Sequence, residues 1–170
     1  MDPDQAEWRI DMKNSTFQGI PGMLRPFKEY LETWNLPEGA EVVFFGVPGT
    51  CTPFVELLCY AVRNLPCRFL FVPYLRENES REMTYTEGLG FQLGEPCQIR
   101  NPSIIIFMGG LAMPGVPVKI EEAEALLSAY PDVASAGICF MHMFQKSGWL
   151  DKISFDLLID ATLNVDITVE

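Results

Sequence analysis

The sequence predicts an α/β protein built on a mainly parallel β-sheet. Its apolar runs are short and lack polar alternation, as is typical of strands that are buried on both faces; the clearest is Ser-Ile-Ile-Ile-Phe-Met at 103–108. Segments with apolar residues at helical spacing separate these runs, and such alternation indicates a parallel sheet covered by helices. We therefore expect a Rossmann-like (flavodoxin-like) three-layer sandwich with about five strands and an antiparallel strand at its C-terminal edge.

The expected organisation is an N-terminal arm at 1–20 followed by a single α/β domain at 21–170. Within the arm, Trp8, Ile10 and Met12 alternate with charged residues, which would suit an edge strand. The domain carries five apolar segments that we interpret as strands, at 42–45, 67–74, 103–108, 136–144 and 155–160.

Three helices are expected between or before these strands. The first, at 23–34, has an apolar stripe that predicts packing in the core, formed by Phe27, Tyr30, Leu31 and Trp34. The second begins at Thr52-Pro53, because a hydroxyl cap followed by proline is a usual helix start. The third, at 119–130, has inward residues at Ile120, Ala123, Leu126, Leu127 and Tyr130.

Two further segments have distinct patterns. Residues 76–100 are charged and then rich in glycine, which we interpret as a long loop with a possible short helix; loops of this length are often functional. At the C-terminus, Leu163, Val165, Ile167 and Val169 alternate with polar residues. This period of two predicts a half-exposed antiparallel edge strand, a type of edge that can pair with a second subunit.

Composition excludes several classes of partner. The net charge is −11, and the twelve basic residues are scattered, so we expect no nucleic-acid binding. No apolar run reaches the roughly 20 residues of a membrane span, and the acidic N-terminus lacks the pattern of a signal peptide, so a cytoplasmic protein is expected. Apolar residues make up 48% of the chain, and burial of an apolar patch in a homodimer would explain this excess.

The cysteines and the histidine give no sign of a metal site. Five cysteines are present without a Cys-x-x-Cys pair, so neither a disulfide framework nor a zinc site is expected. His142 is the only histidine. It falls within the predicted strand at 136–144, with Phe140 and Phe144 on its own face, which predicts a packed, hydrogen-bonded core residue.

The turn at 46–53 is the strongest candidate for a binding site. It joins a buried strand to a helix N-terminus, where free amides and the helix dipole favour anions. Parallel strands end at one sheet edge, so the turn after strand 103–108 would form the second rim of a cleft. The candidate ligand-binding residues are Gly46, Pro48, Gly49, Thr50, Thr52, Gly109, Gly110 and Gly115. The expected ligand is a small anion, a nucleotide or a phosphorylated cofactor, whose identity the sequence does not specify.

Two other functions remain open. Cys51 directly precedes the helix, whose dipole would stabilise a thiolate, so a thiol-dependent enzyme with Cys51 as its catalytic residue is one alternative. The other is a non-catalytic protein that acts in assembly or partner binding through its acidic surface and apolar excess. Whether the protein is an enzyme is left undecided.

Two segments carry resemblances to known families. The stretch 44–55 resembles the peroxiredoxin active-site loop, in which Pro48 and Thr52 match, although Val55 holds the position of the peroxidatic cysteine. The hydroxyl-rich turn also resembles flavodoxin phosphate loops. More broadly, 44–54 and 103–114, together with the chain length, resemble an uncharacterised domain family of methanogenic archaea. That resemblance implies an archaeal, methanogen origin and no particular activity.

Overall fold

A seven-stranded sheet with helices on both faces forms the body of the protein. The computed structural model describes residues 15–169. The strands are β1 (Ala40–Gly46), β2 (Cys67–Pro73), β3 (Arg81–Thr86), β4 (Gly90–Pro96), β5 (Pro102–Met108), β6 (Ala134–Phe140) and β7 (Leu157–Ala161). The helices are α1 (Gly19–Thr33), α2 (Thr52–Ala61), α3 (Ile120–Ser128) and the short α4 (Met143–Lys146). Short 3₁₀ turns lie at Glu77–Glu79, Gly109–Ala112 and Trp149–Asp151.

The sheet is mainly parallel, with the order β4-β3-β2-β1-β5-β6-β7. Strands β2, β1, β5, β6 and β7 run in parallel, whereas β3 and β4 are antiparallel to their neighbours. The chain moves outward from β1 through β2, β3 and β4, and then returns to place β5 on the other side of β1. The carboxyl ends of β1 and β5 therefore flank the point where strand order reverses, which is the usual location of ligands in open α/β sheets.

Alternate residues of the central strands build two separate cores. On one face, Val42 and Phe44 pack in a cluster with Phe27 of α1 and Leu58 of α2. On the other face, Val43 and its neighbours pack with α3 and with the segment around Phe144 and Trp149. This burial on both faces explains why the central strands are continuous apolar runs.

At the amino end of the sheet, a buried carboxylate ties three segments together. Glu41 is 3% exposed and accepts hydrogen bonds from the Arg68 guanidinium at 2.9 Å and from the backbone N–H groups of Arg100 and Asn101 at 2.8 and 2.9 Å. Arg68 also pairs with Glu82 on β3 at 3.2 Å. Three donors satisfy the buried charge, so it can anchor β1 to β2 and to the start of β5.

The predicted number of strands and the predicted loop at 76–100 are both wrong. The sheet has seven strands instead of about five, because 76–100 is not a loop but holds the β3–β4 hairpin. Its residues are mostly exposed, so it lacks the apolar run that identifies the central strands. Its inward side chains are Met83 and Phe91, and the Phe91 ring packs edge-on against Phe69 with ring centroids 5.6 Å apart.

The ends of the chain also differ from expectation. The C-terminal edge strand is β7, which is parallel to β6, whereas 163–169 form no strand within the described part of the chain. Helix α1 begins at Gly19, inside the stretch predicted as an arm. Residues 15–18 form no helix or strand, and the edge strand predicted around Ile10 lies outside the described residues.

Candidate functional site

A cavity of about 280 Å³ lies at the carboxyl edge of the sheet, between the ends of β1, β5 and β6. Its wall is almost entirely apolar. Four methionines contribute to it, namely Met108, Met113, Met141 and Met143. Phe54 and Phe140 form an aromatic wall with ring centroids 4.4 Å apart. The remaining lining residues are Thr50, Cys51, Gly109, Gly110, Ile138 and Leu163. Such a surface suits an apolar group, since methionine adapts its shape to what it contacts.

The two predicted turns meet at this cavity. A Cβ atom built on Gly110 would overlap the Sγ of Cys51, and one built on Gly46 would lie 2.8 Å from the Cys51 Cβ. At Gly109, an added Cβ would lie 2.8 Å from the Cα of Cys139 on β6. Glycine is therefore required at these three positions, because a side chain would collide with the neighbouring turn or strand end.

The predicted binding residues divide into two groups. Those that line the cavity are Thr50, Gly109 and Gly110, together with the proposed thiol Cys51. Those that do not are Gly46, Pro48, Gly49, Thr52 and Gly115. Gly46 lies buried beneath the turn, while Pro48, Gly49 and Gly115 are exposed on its outer side or in the neighbouring loop.

The turn between β1 and α2 uses several of its amides internally. The Gly49 N–H donates to Thr52 Oγ1 at 3.2 Å, and the Cys51 N–H donates to the Val47 carbonyl at 2.8 Å. The Phe54 N–H donates to the Cys51 carbonyl at 3.1 Å, while Pro53 has no N–H to offer. No lysine or arginine lines the cavity. Thr50 carries a hydroxyl group at this wall, and the anion site predicted for the turn stays a prediction.

Cys51 differs from the expected acidic thiol. It is 3% exposed, and this burial raises the pKa of its thiol, although hydrogen bonds with the backbone at Val47 and Gly110 act in the opposite direction. Desolvation thus outweighs the position of Cys51 at the start of α2. A buried thiol of this kind is a weak nucleophile unless a base removes its proton.

His142 is not the packed strand residue that the sequence indicated. Strand β6 ends at Phe140, and Met141 and His142 follow in a left-handed turn with φ values of 55° and 61°. The His142 side chain is 54% exposed and its Nδ1 lies 2.7 Å from Asp160 Oδ2 at the end of β7. The prediction that the His142 ring is hydrogen-bonded is confirmed, whereas the prediction that the ring is packed in the core is wrong.

Sequence reasoning missed the methionines as a group. Met108 ends β5 and Met141 follows β6, so both come at the carboxyl ends of neighbouring strands. Because carboxyl ends of parallel strands meet at one edge, methionines at those places were a usable signal of an apolar cavity. The Asp160 partner of His142 lies 18 residues away and carries no such local signal.

Two classes of feature are absent from residues 15–169. No group of three or more His, Cys, Asp or Glu side chains is placed to hold a metal ion there. Among the helices of the same residues, none has the length and apolar character needed to cross a membrane.

Comparison with known proteins gives consistent matches over nearly the whole chain. The family described as an uncharacterised protein conserved in archaea (DUF2124) matches residues 18–164. An uncharacterised protein of Methanocaldococcus jannaschii is 33% identical over 149 residues, covering 88% of this chain and 89% of the relative. An uncharacterised protein of Methanothermobacter thermautotrophicus is 33% identical over 154 residues, covering 89% and 95%.

A solved structure is similar as well. The crystal structure of a protein of unknown function from Methanothermobacter thermautotrophicus aligns with a TM-score of 0.79 and 32% sequence identity. The alignment covers 93% of this chain and 97% of the other. Together, the matches confirm the resemblance to an uncharacterised family of methanogenic archaea.

Proposed function

The chain belongs to this archaeal family, and because its relatives are uncharacterised we propose a function from its own geometry. The protein binds a small molecule or cofactor at the carboxyl edge of its sheet, with an apolar part of the ligand in the cavity. An anionic part of the ligand, such as a phosphate or carboxylate, lies outside at the Thr50 rim. The observation that carries the proposal is the apolar cavity at the point where strand order reverses.

The fold supports this choice of edge. Five adjacent parallel strands with helices on both faces suit a Rossmann-like (flavodoxin-like) three-layer sandwich, and in such sheets ligands bind beyond the carboxyl ends of the strands. The cavity, at about 280 Å³, is close to the lower end of the roughly 300–1,000 Å³ range of ligand pockets. We therefore expect it to take one ring system or a short alkyl group, and not a whole nucleotide.

The wall also limits the chemistry of the buried part. A polar group moved from water into an apolar site without a hydrogen-bond partner costs roughly 1–3 kcal/mol. The cavity offers few partners, so sugars and phosphates are disfavoured inside it. An aromatic ring is favoured, because it can contact the methionine sulfurs and the Phe54–Phe140 wall.

The proposal is tested by a ligand screen with a matched pair of variants. Nucleotides, flavins, coenzyme A and the aromatic sulfonate 1-anilinonaphthalene-8-sulfonate are compared by thermal shift, and positives are titrated calorimetrically. Met113→Glu places a negative charge on the cavity wall at a residue that is 40% exposed, which disfavours an apolar group there and repels the anionic part of the ligand, so we expect at least tenfold weaker binding. Leu89→Glu, at a 68% exposed residue outside the cavity, is the control and should bind normally. Equal binding by both variants would refute the placement.

A thiol-dependent enzyme is a second candidate, because the Cys51 thiol belongs to the cavity wall. The raised pKa of Cys51 means that this function requires a base close to a bound substrate. Selective reaction of Cys51 at acidic pH would favour it.

Association is a third candidate, supported by the exposed C-terminal segment. Val165, Ile167 and Val169 are 72%, 80% and 89% exposed, and they follow β7, which is an edge strand of the sheet. A cytoplasmic homodimer formed through this segment would cover these side chains. We expect deletion of 165–170 to lower the sedimentation-derived mass from dimer to monomer, while Leu89→Lys leaves it unchanged. A full-length protein that sediments as a monomer at micromolar concentration would exclude this dimer.

A further inference from the structure

We propose that the groove between α2 and the β3–β4 hairpin binds a small organic cation, with an alkylated ammonium group held by the Tyr60 and Tyr85 rings and the Glu56 carboxylate. The groove has a volume of about 460 Å³, within the range of ligand pockets. It shares no lining residue with the apolar cavity at the carboxyl edge of the sheet. The inference therefore concerns a second site and does not depend on the proposed function.

One face of α2 forms the first wall of the groove. The residues that it contributes are Pro53, Glu56, Leu57 and Tyr60. They are three or four positions apart, which places them on the same side of the helix. A Cβ atom built on Gly90, at the start of β4, would lie 3.9 Å from Cδ2 of Tyr60. The Tyr60 ring thus extends from the helix to the hairpin and closes one end of the groove.

The β3–β4 hairpin forms the second wall. Tyr85 and Phe91 are paired across the two strands, so their side chains share one face of the sheet, and their ring centroids lie 5.4 Å apart. Phe91 is buried and its ring packs against Phe69, which fixes the floor of the groove. Tyr85 is 49% exposed and Tyr60 is 44% exposed, so both tyrosines leave a large aromatic surface to solvent.

The Tyr60 ring already contacts one cation of the protein. The guanidinium carbon of Arg63 lies 4.2 Å from the ring centroid, and Arg63 Nη1 donates to the Tyr60 carbonyl at 2.8 Å. Arg63 does not line the groove, so the part of the ring that does is not covered by this guanidinium. The faces of aromatic rings are electronegative and attract cations, which makes a pair of exposed tyrosines suited to an alkylated ammonium group.

The charge of the groove has the sign that a cation requires. Among the described residues that line it, Glu56 is the one with a charged side chain. This carboxylate is half-buried, and within residues 15–169 no lysine or arginine forms an ion pair with it. Glu56 lies one helical turn before Tyr60, so its charge is next to the ring. Glu87, beside Gly88 at the tip of the hairpin, adds a second negative charge near the groove.

The probe pair is choline and its neutral analogue 3,3-dimethylbutan-1-ol, which have the same shape and differ in charge. Each is titrated into the protein while its methyl ¹H signal is followed by NMR, because protons over the face of an aromatic ring shift upfield. We expect an upfield shift of the choline methyl signal, and binding of choline at least fivefold tighter than that of the alcohol. Equal binding of the two probes, or no binding of choline, would overturn the proposal.

A matched pair of variants tests the role of the ring. Tyr85→Phe keeps the aromatic face and should bind choline within twofold of the parent. Tyr85→Leu keeps an apolar side chain without that face, and we expect at least fivefold weaker binding and a smaller upfield shift. Because position 85 is half exposed, both variants should fold, as circular dichroism would show. Unchanged binding in Tyr85→Leu would refute the site.

Two further variants separate the charge of the groove from that of the cavity. Glu56→Gln keeps the shape of the side chain and removes its charge, so choline should bind at least threefold more weakly and the alcohol equally well. Met113→Glu, on the wall of the apolar cavity, should leave choline binding unchanged. If Met113→Glu alters choline binding while Glu56→Gln does not, the cation lies in the cavity and the groove site is refuted.

Discussion

Gly110→Ala provides the sharpest test of how the two turns meet at the cavity. Gly110 is outside the left-handed region, so the backbone itself accepts alanine, and the cost comes from contact alone. The new Cβ would overlap Cys51 Sγ, while its next neighbours, the Cβ and Cγ2 of Val47, lie at 3.6 Å and are ordinary contacts. One sulfur atom therefore accounts for the whole conflict.

The expected loss of stability in Gly110→Ala follows from this single overlap. Inserting a methyl group into a packed site costs about 1–3 kcal/mol, and for a chain of this size about 2 kcal/mol lowers the melting temperature by about 4–8 °C. Cys51→Ala removes the sulfur and should cost about 1 kcal/mol on its own, from the lost burial. The double variant should be nearly as stable as Cys51→Ala, which gives a coupling energy of about 1–2 kcal/mol in a double-mutant cycle.

The neighbouring glycine supplies the control for this cycle. An added Cβ at Gly109 would overlap the Cβ and main-chain atoms of Cys139. Alanine at position 139 keeps these atoms, so Cys139→Ala cannot relieve the overlap. Thermal and urea unfolding, followed by circular dichroism, measure all the free energies. If Cys51→Ala fails to rescue Gly110→Ala, or if Cys139→Ala rescues Gly109→Ala equally well, the proposed contact between the turns is refuted.

The remaining predictions concern the buried carboxylate and the thiols. Glu41→Ala should lower the free energy of unfolding by about 3 kcal/mol, because it leaves buried donors unpaired, and it should leave ligand binding at the opposite edge unchanged in calorimetry. Burial raises the pKa of Cys51, so alkylation at pH 6 followed by mass spectrometry should not single it out; selective labelling there would favour the thiol enzyme. The pKa of Cys67 and of Cys139 is raised to about 11. The folded state thus holds these protons more tightly than the unfolded state, so the contribution of these two thiols to stability should be constant below pH 9 and fall as the pH rises toward 11. Replacing both cysteines with alanine should make the fall in stability shallower, although the raised pKa values of Cys51, Cys59 and Cys97 keep part of it, and an unchanged slope would contradict the cause.

The central strands could be predicted from the sequence because their apolar residues form strong patterns. Apolar runs such as 103–108, which is short and rich in isoleucine, are typical of a strand covered on both faces. The β3–β4 hairpin was not accessible, since it is stabilised by pairing to β2 and by a few inward residues such as Phe91. Conversely, the alternation at 163–169 describes a strand only when a neighbouring strand is available, and none pairs with it within residues 15–169.

The candidate site was predictable in position but not in chemistry. Strand order and direction bring the turns at Cys51 and Gly110 together, and the sequence contained enough information for that inference. The chemistry depends on which amides remain free after the turn has folded, and this is a three-dimensional property. The contact between His142 and Asp160 is equally invisible, because it joins the ends of two strands 18 residues apart.

A strand–turn–helix unit offers an anion site only to the extent that its N–H groups are available, and in this chain several of them are not. The helix dipole acts on a ligand only if N–H groups point at it without other partners. Here Pro53 has no N–H group. The Gly49 N–H donates to Thr52 Oγ1, and the N–H groups of Cys51 and Phe54 donate to carbonyls of the turn. Beside these amides, four methionines together with Phe54 and Phe140 make the cavity wall almost entirely apolar. This apolar wall is the reason why we propose an apolar group, and not a phosphate, for the cavity at this edge of the sheet.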